Sequence, residues 1–261
     1  MAVSALVIAS LAVAGAWLSG QWLGATASRF AWTATLCIAA IALWFYGYEL
    51  TALCLRVLPW DDLVFFDRVP LYVAILLLLS VCHERLERLA TRRLVLVVAA
   101  LFGAYALSEA AAPVWLPMFA DELSEEAAGP PEVLQSTGWS CGAAALAWTA
   151  RLQAVPASER QMAELAVTAP LRGTSLRGMV RALHRVGLPA SAYRRATWEE
   201  LLAAPKPAIA GWQLGPTVGH SVVVLAIAGE QITVGDPLAG QLTYSRDEFL
   251  ASWDRELIAL R

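Results

Sequence analysis

Charge is scarce in this chain: 16% of its 261 residues are Asp, Glu, Lys or Arg, against 58% hydrophobic. That balance is too apolar for an ordinary water-soluble domain, although the length suits one or two domains. Lysine is nearly missing. Lys206 is the only one, and Pro205 precedes it, so G-x-x-x-x-G-K-[ST] cannot occur and the chain carries no P-loop ATPase of its own. A net charge of −3 gives no reason to expect a nucleic-acid partner. Cysteine is sparse too: Cys37, Cys54, Cys82 and Cys141, with no CxxC pair, which argues against a disulfide framework or a zinc site. Cys141 stands alone in the second half and has no disulfide partner within its domain. There is no internal repeat, and no cofactor is expected.

The apolar residues are not spread evenly. Residues 1–130 hold 7 Lys+Arg and 11 Asp+Glu, and residues 131–261 hold 12 and 11. The first half carries long apolar runs, each approaching the ~20 residues that a membrane span needs. We read four spans, near 2–19, 30–48, 63–82 and 94–110, as an all-α transmembrane module over residues 1–112. The third reaches spanning length only by including Asp67 and Arg68, which we place at its watery end. The first lacks the charged segment that precedes a cleaved signal sequence, so it reads as a retained span.

Orientation follows from the arginines. "HERLERLATRR" (His83–Arg93) contains Arg85, Arg88, Arg92 and Arg93, which marks a cytoplasmic loop. The fourth span then exits to the other side, into an acidic linker over 113–130 that contains "SEEAAGPPE". The second half is therefore expected to face the periplasm or cell exterior, from a multi-pass protein of the bacterial inner (cell) membrane.

Residues 131–261 have the periodicities of a mixed domain. A helix is expected from Cys141, with Leu146, Ala150 and Gln153 along one face. "SERQMAELA" opens with Ser158 and Gln161 at capping-box spacing, and "TWEELLAA" with Thr197 and Glu200. Gly187 ends a third helix. Strands follow: "PAIAGWQL", "HSVVVLAIAG", "QITVGD" and "QLTYS", with Gly229–Glu230 as a hairpin turn, then a short helix and a last strand. Helices first and strands afterwards predict an α+β domain with an antiparallel sheet.

Chemistry gathers where "VLQSTGWSCGAAALAWTA" turns into a helix. Cys141 sits at the expected N-terminus, where unpaired N–H groups and the helix dipole favour a negatively charged sulfur. Gly138 and Gly142 allow close approach. A thiol nucleophile needs a base, and the domain offers only His184 and His220. His184 reads as a solvated residue of an amphipathic helix. His220 opens a strand, and Asp236 in "VGDPLAG" ends the next. A hairpin sets those outer ends side by side, as a Cys–His–Asp arrangement requires. Gln135, six residues before Cys141, and the Cys141 backbone N–H are candidate oxyanion donors. Trp139, Trp212 and Leu214 are candidates for lining a cleft or for plain core.

The order of "QSTGWSCGAAALAW", "PAIAGWQLGPTVGHSVVVLAI" and "ITVGDPLAGQLTYSRDEFLASWD" resembles the C39 family of cysteine peptidases, over essentially all of 131–261. The resemblance implies a papain-like fold, with Cys141 as nucleophile, His220 as base, Asp236 as orienting carboxylate and Gln135 as oxyanion donor. It also implies cleavage of a peptide or protein substrate through an acyl-enzyme, after small residues such as Gly-Gly. Ser140 stands where many members carry an acidic residue. The family's transporter spans and ATPase are replaced by the four-span module. Expected partners are therefore a peptide or protein substrate, the lipid bilayer and a separate transporter or secretion partner. The alternative reading is a catalytically silent C39-like module that binds a peptide and assists export or maturation.

Overall fold

The structure, a computed structural model, describes residues 2–46, 64–65, 69–111, 116, 119–170, 172–215 and 218–261. Asp67, Arg68 and the start of the expected third span lie outside them. The chain divides into two units, Met1–Glu49 with Phe65–Val114, and Leu50–Val64 with Trp115–Arg261.

The first unit is helical: α1 (Ala2–Gly24), α2 (Ala27–Trp44), α3 (Val69–Arg85) and α4 (Leu89–Ala110). Thr26 caps α2 by accepting from the Arg29 N–H. Helices α1 and α3 meet through small residues, which lets their backbones touch. A Cβ on Gly20 would lie 2.6 Å from Ser80 Cβ, and one on Gly24 would lie 2.9 Å from the Val81 carbonyl oxygen. The Ser80 hydroxyl donates to the Trp17 carbonyl at 2.6 Å. Two stretches, Leu6–Gly24 and Leu89–Ser108, are long and apolar enough to cross a membrane, and a shorter apolar helix covers Ser28–Trp44.

The second unit is α+β. Its helices are α5 (Cys141–Leu152), α6 (Glu159–Ala166), α7 (Leu176–Arg185), α8 (Trp198–Ala203) and α9 (Arg246–Ser252). Its strands are β1 (Ala190–Tyr193), β2 (Ala208–Gly215), β3 (Val218–Ala228), β4 (Gln231–Asp236), β5 (Gly240–Ser245) and β6 (Trp253–Leu260). They form one antiparallel sheet in the order β1-β6-β2-β3-β4-β5. Strand β1 is absent from the sequence reading because "ASAY" has no β-branched residue to mark it.

Alternation along the strands separates two cores. Ile209, Val223 and Ile258 pack with Leu146, Trp148, Met162, Met179 and Leu183. Val222, Val224, Ile232 and Val234 pack with Trp212, Phe249, Trp253 and Leu257. Trp212 is thus core, its ring 5.2 Å from that of Tyr244 and 5.3 Å from that of Phe249. Helix α5 is buried from Gly142 to Ala150, rather than along the single face its sequence implies. Five alanines in that stretch make the helix thin enough for neighbours to close on every side. Gly235 leaves room for Trp148 of this helix on the sheet. A Cβ there would lie 2.6 Å from the Trp148 ring, so the indole lies on the β4 backbone one residue before Asp236.

Candidate active site

Cys141 is the first residue of α5, and Ser140 is its N-cap. The backbone N–H groups of that first turn have no intrahelical acceptor. Ser140 is fully buried and closes the turn before the helix. Its hydroxyl accepts from the Thr137 N–H at 3.1 Å and from the Thr137 hydroxyl at 2.8 Å. Ser140, where the resemblance leads us to expect an acidic residue, serves the turn instead. Gly142 is required by packing, since a Cβ would lie 2.6 Å from Met179 and 2.7 Å from Thr174. Gly138 is not, because a Cβ there meets nothing. We expect Gly142→Ala to push the start of α5 outward and cost about 1–3 kcal/mol, as overpacked sites do. Thermal unfolding and the Cys141 alkylation rate would both register it. A variant with wild-type values for both would show that Met179 and Thr174 give way easily.

His220 and Asp236 meet because of register. Val224 pairs with Val234 across β3 and β4, and two-residue alternation sets Val222, His220 and Asp236 on that same side. A slip of one residue would turn one of them away. The His220 Nε2 lies 2.7 Å from Asp236 Oδ1, and the Leu238 N–H donates to the same oxygen at 2.8 Å. With Nε2–H committed to the carboxylate, Nδ1 is the nitrogen left for the thiol. His220 is 5% exposed. Burial alone would push its pKa down, but the Cys141 thiol and Asp236 together outweigh it and hold the imidazole above its ordinary 6.5. His220 and Asp236 are thus brought together from two strands, with Cys141 at the start of α5 near enough to bear on the imidazole.

Gln135 arrives at the same corner through its backbone. Its N–H donates to the Pro237 carbonyl at 2.8 Å, beside Asp236. Its Nε2 donates to the Thr137 carbonyl at 2.6 Å, and an amide nitrogen carries a second hydrogen. Its Oε1 is buried without a partner. Buried amide oxygens are normally satisfied, so the side chain is held by its nitrogen rather than by its oxygen. His184 belongs elsewhere. It is half-buried rather than solvated, with Nε2 3.2 Å from the Ala190 carbonyl oxygen.

One contributor escaped the sequence reading. Glu159 opens α6 and is fully buried. Its Oε1 accepts from the Ser136 N–H at 2.9 Å, and its Oε2 accepts from the Ser136 hydroxyl and, at 3.1 Å, from the Ser124 N–H. In sequence it looks like a surface acid in the first turn of a capped helix. Nothing local signals the loop that covers it.

A family model described as the peptidase C39 family matches residues 131–261. The chain belongs to that family. Its C39 domain has the papain-like α+β fold, and membership gives it a peptidase or peptide-binding role. An uncharacterized protein of Methanothermobacter marburgensis is 38% identical over 117 residues, which cover 45% of this chain and 78% of that protein. The lactococcin-G-processing and transport ATP-binding protein LagD of Lactococcus lactis is 28% identical over 128 residues, 48% of this chain but 18% of LagD. Among solved structures, the peptidase domain of Streptococcus ComA, a bi-functional ABC transporter involved in a quorum-sensing pathway, aligns with a TM-score of 0.45. It is 26% identical and covers 49% of this chain and 95% of its own.

Proposed function

We propose that this chain is a membrane-anchored cysteine peptidase whose C39 domain works through Cys141, His220 and Asp236. The observation that carries this is the imidazole of His220, hydrogen-bonded to Asp236 at 2.7 Å, with the Cys141 thiol at the N-terminus of a buried helix near enough to raise its pKa. Cys141 Sγ attacks the peptide carbonyl carbon as its proton passes to His220. The oxyanion that forms is met by the Cys141 N–H and the Gln135 amide. The C–N bond breaks as His220 returns the proton to the leaving amine. Water, deprotonated by His220, then hydrolyses the thioester and restores the thiol. The family resemblance supports cleavage after small residues such as Gly-Gly. Comparing membrane and cell-surface peptides of wild type with those of a Cys141→Ala strain tests the reading. A peptide terminus present only in wild type is the expected result, and identical sets of termini would overturn it.

The helical unit reads as the anchor, with residues 1–112 spanning four times and 113–130 leading to the C39 domain. Large apolar side chains cover its outside: Leu11 and Trp32 are 69% and 72% exposed. A water-facing unit would not display them so densely. The turn between α1 and α2 and the turn between α3 and α4 share one end. Arg29 lies 4.4 Å from the Trp22 ring, and Arg85 lies 5.4 Å from the Phe30 ring. That end gathers Arg29, Arg85, Arg88, Arg92 and Arg93, which supports a cytoplasmic position for it and an extracytoplasmic C39 domain. A variant retaining Cys141 alone should be labelled in intact cells by an impermeant maleimide. Labelling only after lysis would reverse the orientation.

A further inference from the structure

We infer that Glu159 is a positioning residue for the oxyanion side of the site, and that it ties that side to the segment upstream of the family domain. This deepens the peptidase reading and rests on it. The carboxylate is fully buried. Burying a carboxylate is costly unless donors surround it. Its donors come from two segments distant in sequence. The N–H and hydroxyl of Ser136 are adjacent to Gln135, and the N–H of Ser124 belongs to the chain before residue 131.

Gln135 is therefore gripped from both sides. Its own N–H is held by the Pro237 carbonyl, next to the acid of the triad. Its neighbour Ser136 is held by Glu159. Removing the carboxylate leaves the Ser136 N–H unpaired and lets this loop segment shift, carrying the Gln135 amide away from where the oxyanion forms.

The upstream segment is fastened by more than that one contact. The Arg160 N–H donates to the Ser124 carbonyl at 3.1 Å, and the Ala157 N–H to the Ala127 carbonyl at 3.1 Å. The Arg151 guanidinium donates to the Ala157 carbonyl at 2.9 Å, to the Pro130 carbonyl at 3.0 Å and to the Glu126 carbonyl. Residues 124–130 are thus docked on α5 and α6, and Glu159 is where that docking touches the loop that carries Gln135.

The test uses the full chain in detergent, with E159Q, S136A and the double variant. Three probes separate the possibilities. Iodoacetamide reads the Cys141 thiol without an oxyanion. The peptide aldehyde acetyl-glycyl-glycinal forms a tetrahedral adduct whose oxygen needs the donors. Acetyl-Gly-Gly-aminomethylcoumarin reads kcat and KM. Losing a whole oxyanion donor costs about 100-fold or more, so a displaced one in E159Q should weaken the aldehyde adduct and lower kcat by about tenfold. KM and the alkylation rate should stay within about twofold. S136A, at an exposed residue that does not threaten folding, should lose about threefold in the same readouts and add nothing to E159Q, as coupled partners do.

Wild-type aldehyde affinity and kcat in both single variants would overturn the proposal. So would an alkylation rate that falls by the same factor as the aldehyde affinity. If E159Q does not fold, wild-type aldehyde affinity in S136A overturns it alone. A wild-type protein that forms the adduct but hydrolyses no peptide would end the peptidase reading, while the ratio of aldehyde affinities would still decide the role of Glu159.

Discussion

Replacing Cys141 by Ala is expected to remove peptide hydrolysis altogether while leaving the C39 domain folded. The reason is covalent. Without the sulfur no thioester can form, and loss of a triad nucleophile costs about 10⁶ in kcat where it has been measured. Alanine suits the position sterically and electrically. Helix α5 already runs Gly-Ala-Ala-Ala behind it, and Ala is the best helix former. Thermal unfolding of the variant should stay close to wild type, with binding of substrate peptide intact. A variant that still cleaves would remove Cys141 from the chemistry. One that unfolds would make the residue structural.

Asp236→Asn should produce the second largest loss. The carboxylate holds Nε2–H at 2.7 Å. An amide can instead offer its own N–H and invert the tautomer, which costs about 10⁴ in kcat in related triads, or about 5.5 kcal/mol at 1.36 kcal/mol per decade. The pH dependence gives a sharper test. Burial pushes the His220 pKa down, and Cys141 and Asp236 together push it above 6.5. Removing the Asp236 charge leaves burial less opposed, so the folded pKa must fall. The acid limb of residual activity, where a protonated imidazole can no longer take the thiol's proton, should move to lower pH.

Stability should follow with a definite sign. A histidine whose folded pKa lies above its unfolded value stabilises the fold fully below about pH 6.5, and this is lost as pH rises through the folded pKa. The gap in melting temperature between wild type and Asp236→Asn should therefore be wider at about pH 5.5 than at about pH 9. An equal gap at both would mean that Asp236 does not set the charge of His220.

Much of the fold was legible because its signals are local. The capping box of Thr197 with Glu200 closes as its spacing implies. Gly187 sits beyond the end of α7 with φ +82, where a side chain would be strained. The turn at Gly229–Glu230 joins β3 to β4, and that hairpin is why His220 and Asp236 could be paired on paper. What was not legible depends on contacts between distant segments. "ASAY" becomes β1 only because β6 offers an edge. His184 looked solvated until the Ala190 carbonyl was placed beside it.

The sequence by itself determined the ends proposed to carry the chemistry: a thiol where a helix must start, and a histidine and an aspartate at matched ends of one hairpin. Capping, strand alternation and turn geometry act over a few residues, so they can be read along a line. Only the tertiary structure decided how those ends face each other. Trp148 of α5 settles on β4 where Gly235 leaves room for it, and Gln135 is held by the Pro237 carbonyl while its neighbour Ser136 is held by the buried Glu159. Packing distance and the satisfaction of a buried charge are properties of segments brought together from across the chain, and no stretch of sequence contains both partners.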